Sequence, residues 1–220
     1  MAVAVVTGGS RGLGRALVEA LSREGWSVVT DARTERDLAA VEGDGVTTVA
    51  GDVTDPGHRA ALVAAAARLG GIDLLVNNAS VLGPSPQPHL SDYPVDVLRR
   101  VYDVNVVAPL ALVQLALPLL RASHGSVINV TSDASVEPYK GWGGYGSSKA
   151  ALDQLSAILA AEEPAVRVWA VDPGDMRTQM HQEAFPGEDI SDRPEPESVV
   201  PGILKLLAEA PPSGRVRVTP

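Results

Sequence analysis

Apolar residues in this chain fall into short runs separated by longer stretches with helical spacing, and that alternation is the main structural signal. Residues 2–6, 26–30, 46–50, 72–76, 127–130 and 166–171 are brief and rich in β-branched side chains, the pattern of strands in a buried parallel sheet. Between them, 15–23, 60–69, 92–120, 146–162 and 198–209 have helical length and pattern, and 215–218 adds a short edge strand. Strand following helix throughout predicts one α/β domain over residues 1–220. It is a doubly wound fold whose mostly parallel sheet carries helices on both faces.

The first strand runs directly into Thr7-Gly8-Gly9-Ser10-Arg11-Gly12-Leu13-Gly14 and then a helix. Strand, glycine loop and helix form the context of a dinucleotide site, because helix-start N–H groups face a pyrophosphate and absent side chains allow close approach. The end of the second strand offers Asp31, which would select the 2′-hydroxyl of NAD. It also offers Arg33, which with Arg11 would select the 2′-phosphate of NADP. The stretch after the third strand has two readings: Asp52 accepts from the adenine amino group, or Asp55 caps the next helix. Asn77-Asn78-Ala79-Ser80 closes the fourth strand, where ligands lie in open α/β sheets. The proline-rich loop 81–90 and the irregular segment 175–192 are expected to shape the substrate mouth, the second as a lid.

Tyr145 and Lys149 are four apart at the start of a helix, so they project from one face. A free phenol titrates too high for neutral acid–base work, and a neighbouring ammonium is expected to bring it down. Asn105 sits inside an otherwise apolar helix pattern, a place that Asn avoids without a partner.

Composition narrows the chemistry. The net charge of −9 argues against nucleic acid, and the absence of cysteine excludes disulfides, thiolate nucleophiles and Cys-ligated metals. His58, His89, His124 and His181 show no metal-ligand spacing, so no metal is expected. No apolar run reads as a bilayer span and no signal peptide is evident, so the expected location is cytoplasmic and no membrane partner is expected.

Taken in order, Thr7-Gly-x-x-x-Gly12-x-Gly14, Asp52-Val53, Asn77-Asn78-Ala79, Asn105, Ser132, Tyr145-x-x-x-Lys149 and Pro173-Gly174 resemble the short-chain dehydrogenase/reductase family, with its Rossmann-type fold, over most of the chain. The resemblance implies Tyr145 as general acid or base, and Lys149 as its partner and ribose ligand. It implies Ser132 as donor to the substrate oxygen and Asn105 as holder of a relay water. The implied cofactor ligands are Gly8, Ser10, Arg11, Gly12, Leu13, Gly14, Arg33, Asp52, Val53, Asn78, Ala79, Tyr145, Lys149, Pro173, Gly174 and Thr178. By alignment, Arg33 falls where NADP-using members place arginine and Ala32 where NAD users place Asp, so NADP is expected over NAD.

Two departures stand out: Ser80 replaces the usual Gly, and the short C-terminus lacks the usual Gly-rich strand signature. The implied activity is hydride transfer between a nicotinamide and the carbonyl or alcohol of a small molecule. Val81, Leu82, Trp142, Met176, Met180 and Phe185 suggest a pocket for a largely apolar substrate. A non-redox enzyme of this fold (epimerase, dehydratase or cyclase) and a nucleotide-sensing regulator are the competing classes, and the intact Ser/Tyr/Lys group speaks against the regulator. Small and apolar faces at 109–120 and 146–162 are expected to pair in a homodimer, with a homotetramer as the larger assembly.

Overall fold

Seven parallel strands set the frame, in the order β3-β2-β1-β4-β5-β6-β7, in a computed structural model that describes residues 1–218. The strands are β1 (Val3–Val6), β2 (Ser27–Ala32), β3 (Val46–Ala50), β4 (Leu74–Asn77), β5 (Ser126–Val130), β6 (Arg167–Asp172) and β7 (Gly214–Arg217). The order reverses between β1 and β4, so the crevice expected at a topological switch point opens at their carboxyl ends.

Alternation along β1 builds the two layers. Ala4 and Val6 face a core shared with α1 (Gly12–Arg23) and α8 (Val200–Glu209), whereas Val3 and Val5 face α3 (Pro56–Arg68) and α5 (Ala108–Ser123). Trp169 of β6 is fully buried in the first layer. The long helix α6 (Gly143–Glu162) covers the sheet on the α5 side through Leu159 and Ala160. Asp55 caps α3 by accepting from the Gly57 amide at 3.0 Å, as expected from its place before Pro56. Two short helices escaped the sequence pattern, α2 (Glu35–Leu38) and α7 (Gln179–Ala184), because neither is long enough to show a period.

Residues 95–123 are helical throughout, but not as one α-helix. Helix α4 (Val95–Tyr102) passes through a π turn at Asp103–Val107 into α5. Pro109 has no N–H to return to the carbonyl of Asn105, which breaks the α ladder there and favours the wider turn. This 29-residue run corrects one expectation: by length and composition alone it is apolar enough to cross a membrane. Half of its most apolar window is buried within the fold, as in a core helix.

Candidate active site

The crevice at the β1/β4 switch point is a cleft of about 920 Å³. One end is lined by the glycine loop, Arg33 and Asp52, and the other by Ser132, Tyr145, Trp142 and Met180.

At the first end, the glycine loop is built to let a ligand close to the backbone. Gly8 takes φ +68°, and a Cβ there would meet the Ala79 Cα at 3.0 Å. At Gly14 a Cβ would lie 2.3 Å from the Gly8 carbonyl oxygen, so the helix rests on the loop with no room for a side chain. Arg11 at the N-cap of α1 gives no side-chain cap, so the first amides of that helix open into the cleft. Asn78 lashes the loop to β4, with Nδ2 donating to the carbonyls of Thr7 at 2.8 Å and Gly8 at 3.2 Å. Thr7 Oγ1 in turn accepts the amides of Asn78 and Ala79. A pyrophosphate fits this cradle of free amides and absent side chains.

The residues weighed for cofactor choice fall in different places. Asp31 is buried and points under the glycine loop, accepting the Gly8 amide at 2.6 Å and facing His58 Nε2 at 2.8 Å. Arg33 is exposed and lines the cleft. Arg11 also lines it, but its Nη1 donates to Gln179 Oε1 of α7 at 2.6 Å. Asp52 is paired with Arg100, whose Nη2 donates to it at 2.5 Å, and it accepts both the amide and the hydroxyl of Thr54. Partial burial raises its pKa, but the Thr54 and Arg100 contacts outweigh that and hold the carboxyl at about 2.

At the other end, Tyr145 and Lys149 rise from the first turns of α6, both buried. The Lys149 Nζ lies 5.4 Å from the centre of the Tyr145 ring and donates to the Val130 carbonyl at 2.8 Å. The expectation that this ammonium brings the phenol down is corrected by the geometry. Burial pushes the Tyr145 phenol above its ordinary value, the Asp133 and Asp172 carboxylates push the same way, and the hydroxyls of Ser132 and Ser80 pull against them. Burial moves Lys149 in the opposite sense, down to about 8, against an upward pull from Asp153.

Ser132 lies two residues beyond β5 and caps the turn Asp133–Ser135. Its Oγ donates to Asp133 Oδ1 at 3.0 Å and accepts the Ala134 amide at 3.2 Å. Asn105 is fully engaged. Its Nδ2 donates to the Val81 carbonyl and Ser148 Oγ, and its Oδ1 accepts from the Val81 amide and Ser80 Oγ. Every polar position of the side chain is therefore used within the protein, and its backbone carbonyl has lost the Pro109 donor of an α-helix.

Trp142 stands beside Tyr145, ring centres 5.8 Å apart and nearly edge-on. Phe185 packs behind Trp142 at 5.8 Å rather than lining the cleft as expected. Val81, Leu82, Met176 and Met180 do line it. Thr178 caps α7 and sits 3.4 Å from where a Gly12 Cβ would be, opposite the glycine loop. Pro173 and Gly174 form the floor between them, with the Gly174 amide donating to Asp172 Oδ1 at 3.0 Å. Ser85 Oγ donates to the Glu183 carbonyl at 2.6 Å, which joins the 81–90 loop to α7 over the cleft. Among the described residues no cluster of His, Asp and Glu has the arrangement of a metal site. His58 and Arg215, neither given a role in the site by the sequence, back it from α3 and β7, His58 through Asp31 and Arg215 through Ser132 and Asp172. Neither lies in a motif, and only the fold brings them there.

The parallel sheet with helices around it agrees with what comparison of the whole chain gives. Residues 2–189 match the short chain dehydrogenase family, and the chain belongs to that family of oxidoreductases. Among curated relatives it is 35% identical over 220 residues to a benzil reductase forming (S)-benzoin from Saccharomyces cerevisiae, covering 94% of this chain and 81% of the other. Among solved structures it resembles a short-chain dehydrogenase from Pseudomonas syringae at TM-score 0.92 and 32% identity, covering 98% and 93% of the two chains. A short-chain dehydrogenase from Shigella flexneri complexed with NADP matches at TM-score 0.88 and 27% identity, covering 98% and 95%.

Proposed function

We propose that this chain is an NADP(H)-dependent carbonyl reductase in which Tyr145 delivers the proton. The observation that carries the reading is the buried phenol of Tyr145 flanked by the Ser132 and Ser80 hydroxyls at the end of a cleft that begins at the glycine loop. Bound NADPH would supply the hydride to the substrate carbon. Ser132 would turn its hydroxyl from Asp133 to the carbonyl oxygen and stabilise the charge that develops there. Tyr145 would give its O–H proton to the same oxygen, completing the alcohol. A phenol kept protonated by burial suits the acid of the reduction, and an alkoxide is a strong enough base to take its proton.

Lys149 would hold the ribose and restore the phenol's proton through water on the Asn105 carbonyl. Gly8, Ser10, Gly12, Leu13 and Gly14 would hold the pyrophosphate, Arg33 the 2′-phosphate, and Asp52, Val53, Asn78 and Ala79 the adenosine end. Pro173, Gly174 and Thr178 would hold the nicotinamide end. The apolar wall of Leu82, Trp142 and Met180 supports a largely apolar substrate, and the benzil reductase relative supports aromatic ketones as the first class to try. The exposed Leu110, Leu115 and Ile158 support a homodimer built on α5 and α6, which light scattering would test.

The test is oxidation of NADPH by a panel of aryl ketones, diketones and quinones, with Tyr145→Phe alongside. Turnover that falls about 10²–10⁴-fold in the variant, with NADPH binding kept, is the expected result. NADPH binding with no turnover on any carbonyl would overturn it.

A further inference from the structure

The short C-terminal strand lies beside β6 with Ala170 opposite Arg215, which brings the Arg215 side chain behind the site. Its Nη2 donates to the backbone carbonyl of Ser132 at 3.1 Å and to Asp172 Oδ2 at 3.0 Å, and its Nε to Asp153 Oδ2 at 3.2 Å. We propose that Arg215 is a positioning residue for the catalytic group, holding Ser132 from behind and neutralising the two carboxylates that flank Tyr145 and Lys149. The proposal rests on Tyr145 being the acid of the reaction.

Each contact has a separate consequence. Ser132 begins a tight turn, so fixing its carbonyl fixes the direction from which Oγ meets the substrate. Asp172 is almost fully buried at the end of β6 and also receives the Gly174 amide, so a charge left there unpaired would cost heavily. Asp153 lies one turn beyond Lys149 on α6, and its Oδ2 also accepts from Ser135 Oγ at 2.6 Å. A planar guanidinium reaches all three acceptors at once, which a lysine ammonium on a single stem does less well.

The charges facing Tyr145 are Asp133, Asp172 and Lys149, and those facing Arg215 are Asp153 and Asp172. Removing the Arg215 cation leaves the field of Asp172 on the phenol uncompensated and raises its pKa further. In alcohol oxidation, where the phenolate is the base, the rising limb of the pH–rate profile then moves to higher pH.

The experiment compares Arg215→Met and Arg215→Lys with the intact enzyme, measuring kcat, the KM for the nicotinamide cofactor and the pH profile of alcohol oxidation. Arg215→Met is expected to lower kcat about tenfold at neutral pH and to move the rising limb up by about one pH unit, with cofactor KM within about twofold. Arg215→Lys is expected to return the limb to its original place while kcat stays low. Unchanged kcat and profile in Arg215→Met, even with a lower melting temperature, would overturn the proposal. If Arg215→Met does not fold, an unaltered kcat in Arg215→Lys would overturn it as well. Retained turnover in Tyr145→Phe would instead remove the acid–base reading on which the proposal stands.

Discussion

The Asp31 carboxylate accepts the backbone amide of Gly8 at 2.6 Å, so the acid nearest the adenosine end is turned beneath the loop. With His58 on its second oxygen, both of its oxygens are already engaged within the protein. Asp31 and Arg33 both line the cleft, but Asp31 is buried and held under the loop whereas Arg33 is exposed, and it is this difference that supports the proposed NADP preference. Arg33→Ala is expected to raise the KM for NADPH about tenfold or more and to leave that for NADH within about twofold. Steady-state kinetics with both nucleotides checks this, and equal effects would remove the assignment.

Lys149 makes a second prediction, in stability. Its pKa falls from the ordinary 10.5 to about 8 on folding, so the folded protein holds its proton less tightly than the unfolded chain. Below about pH 8 both states are protonated and the full cost, about 3 kcal/mol, is present. Between about 8 and 10.5 only the unfolded chain keeps the proton, so this group's contribution makes stability rise with pH across that window. Lys149→Met is therefore expected to be more stable than the parent at neutral pH by about 2 kcal/mol, the remainder offset by the orphaned Val130 carbonyl. Urea unfolding at neutral and alkaline pH measures both effects. A less stable variant at neutral pH would contradict the sign.

Asn105 should behave in the opposite way. Asn105→Ala strands the Val81 amide and carbonyl and leaves the Ser148 hydroxyl with its bond to the Tyr145 carbonyl alone, and is expected to cost about 3 kcal/mol in denaturant unfolding. A loss below about 1 kcal/mol would show that the π turn holds its shape without this side chain.

Ser80 stands where the family usually has glycine, and its hydroxyl lies between Asn105 and Tyr145. With neutral Tyr145 it donates to Asn105, and with phenolate it can turn its proton to the charged oxygen. Ser80→Gly is expected to raise the midpoint of the oxidation pH profile by roughly half a unit. A profile that does not move would assign the hydroxyl to loop structure alone.

Much of this was legible in the residues. Short β-branched runs with glycines after the first strand give the sheet and its cradle, and Tyr145 with Lys149 four residues on gives a shared helix face. Asn105 was legible as an anomaly, but its reason was not, because a π turn has no periodic signature and depends on Pro109 four residues later. The inward turn of Asp31 was hidden for another reason: β2 is buried on both faces, so polarity alone does not say which way a carboxylate points. Arg215 was invisible because strand order, not spacing, sets its place. The lowered phenol failed as an expectation because spacing gives neighbours but not burial, and burial dominates here.

Of the chain's three tryptophans, Trp169 is wholly enclosed in the sheet core, Trp26 packs at its margin, and Trp142 alone is on the cleft wall. A ligand entering beside Tyr145 therefore perturbs the emission of one indole while the other two serve as an internal reference. The protein carries its own fluorescent gauge of occupancy, and replacing Trp142 by Phe would blind it without touching the cradle at the far end.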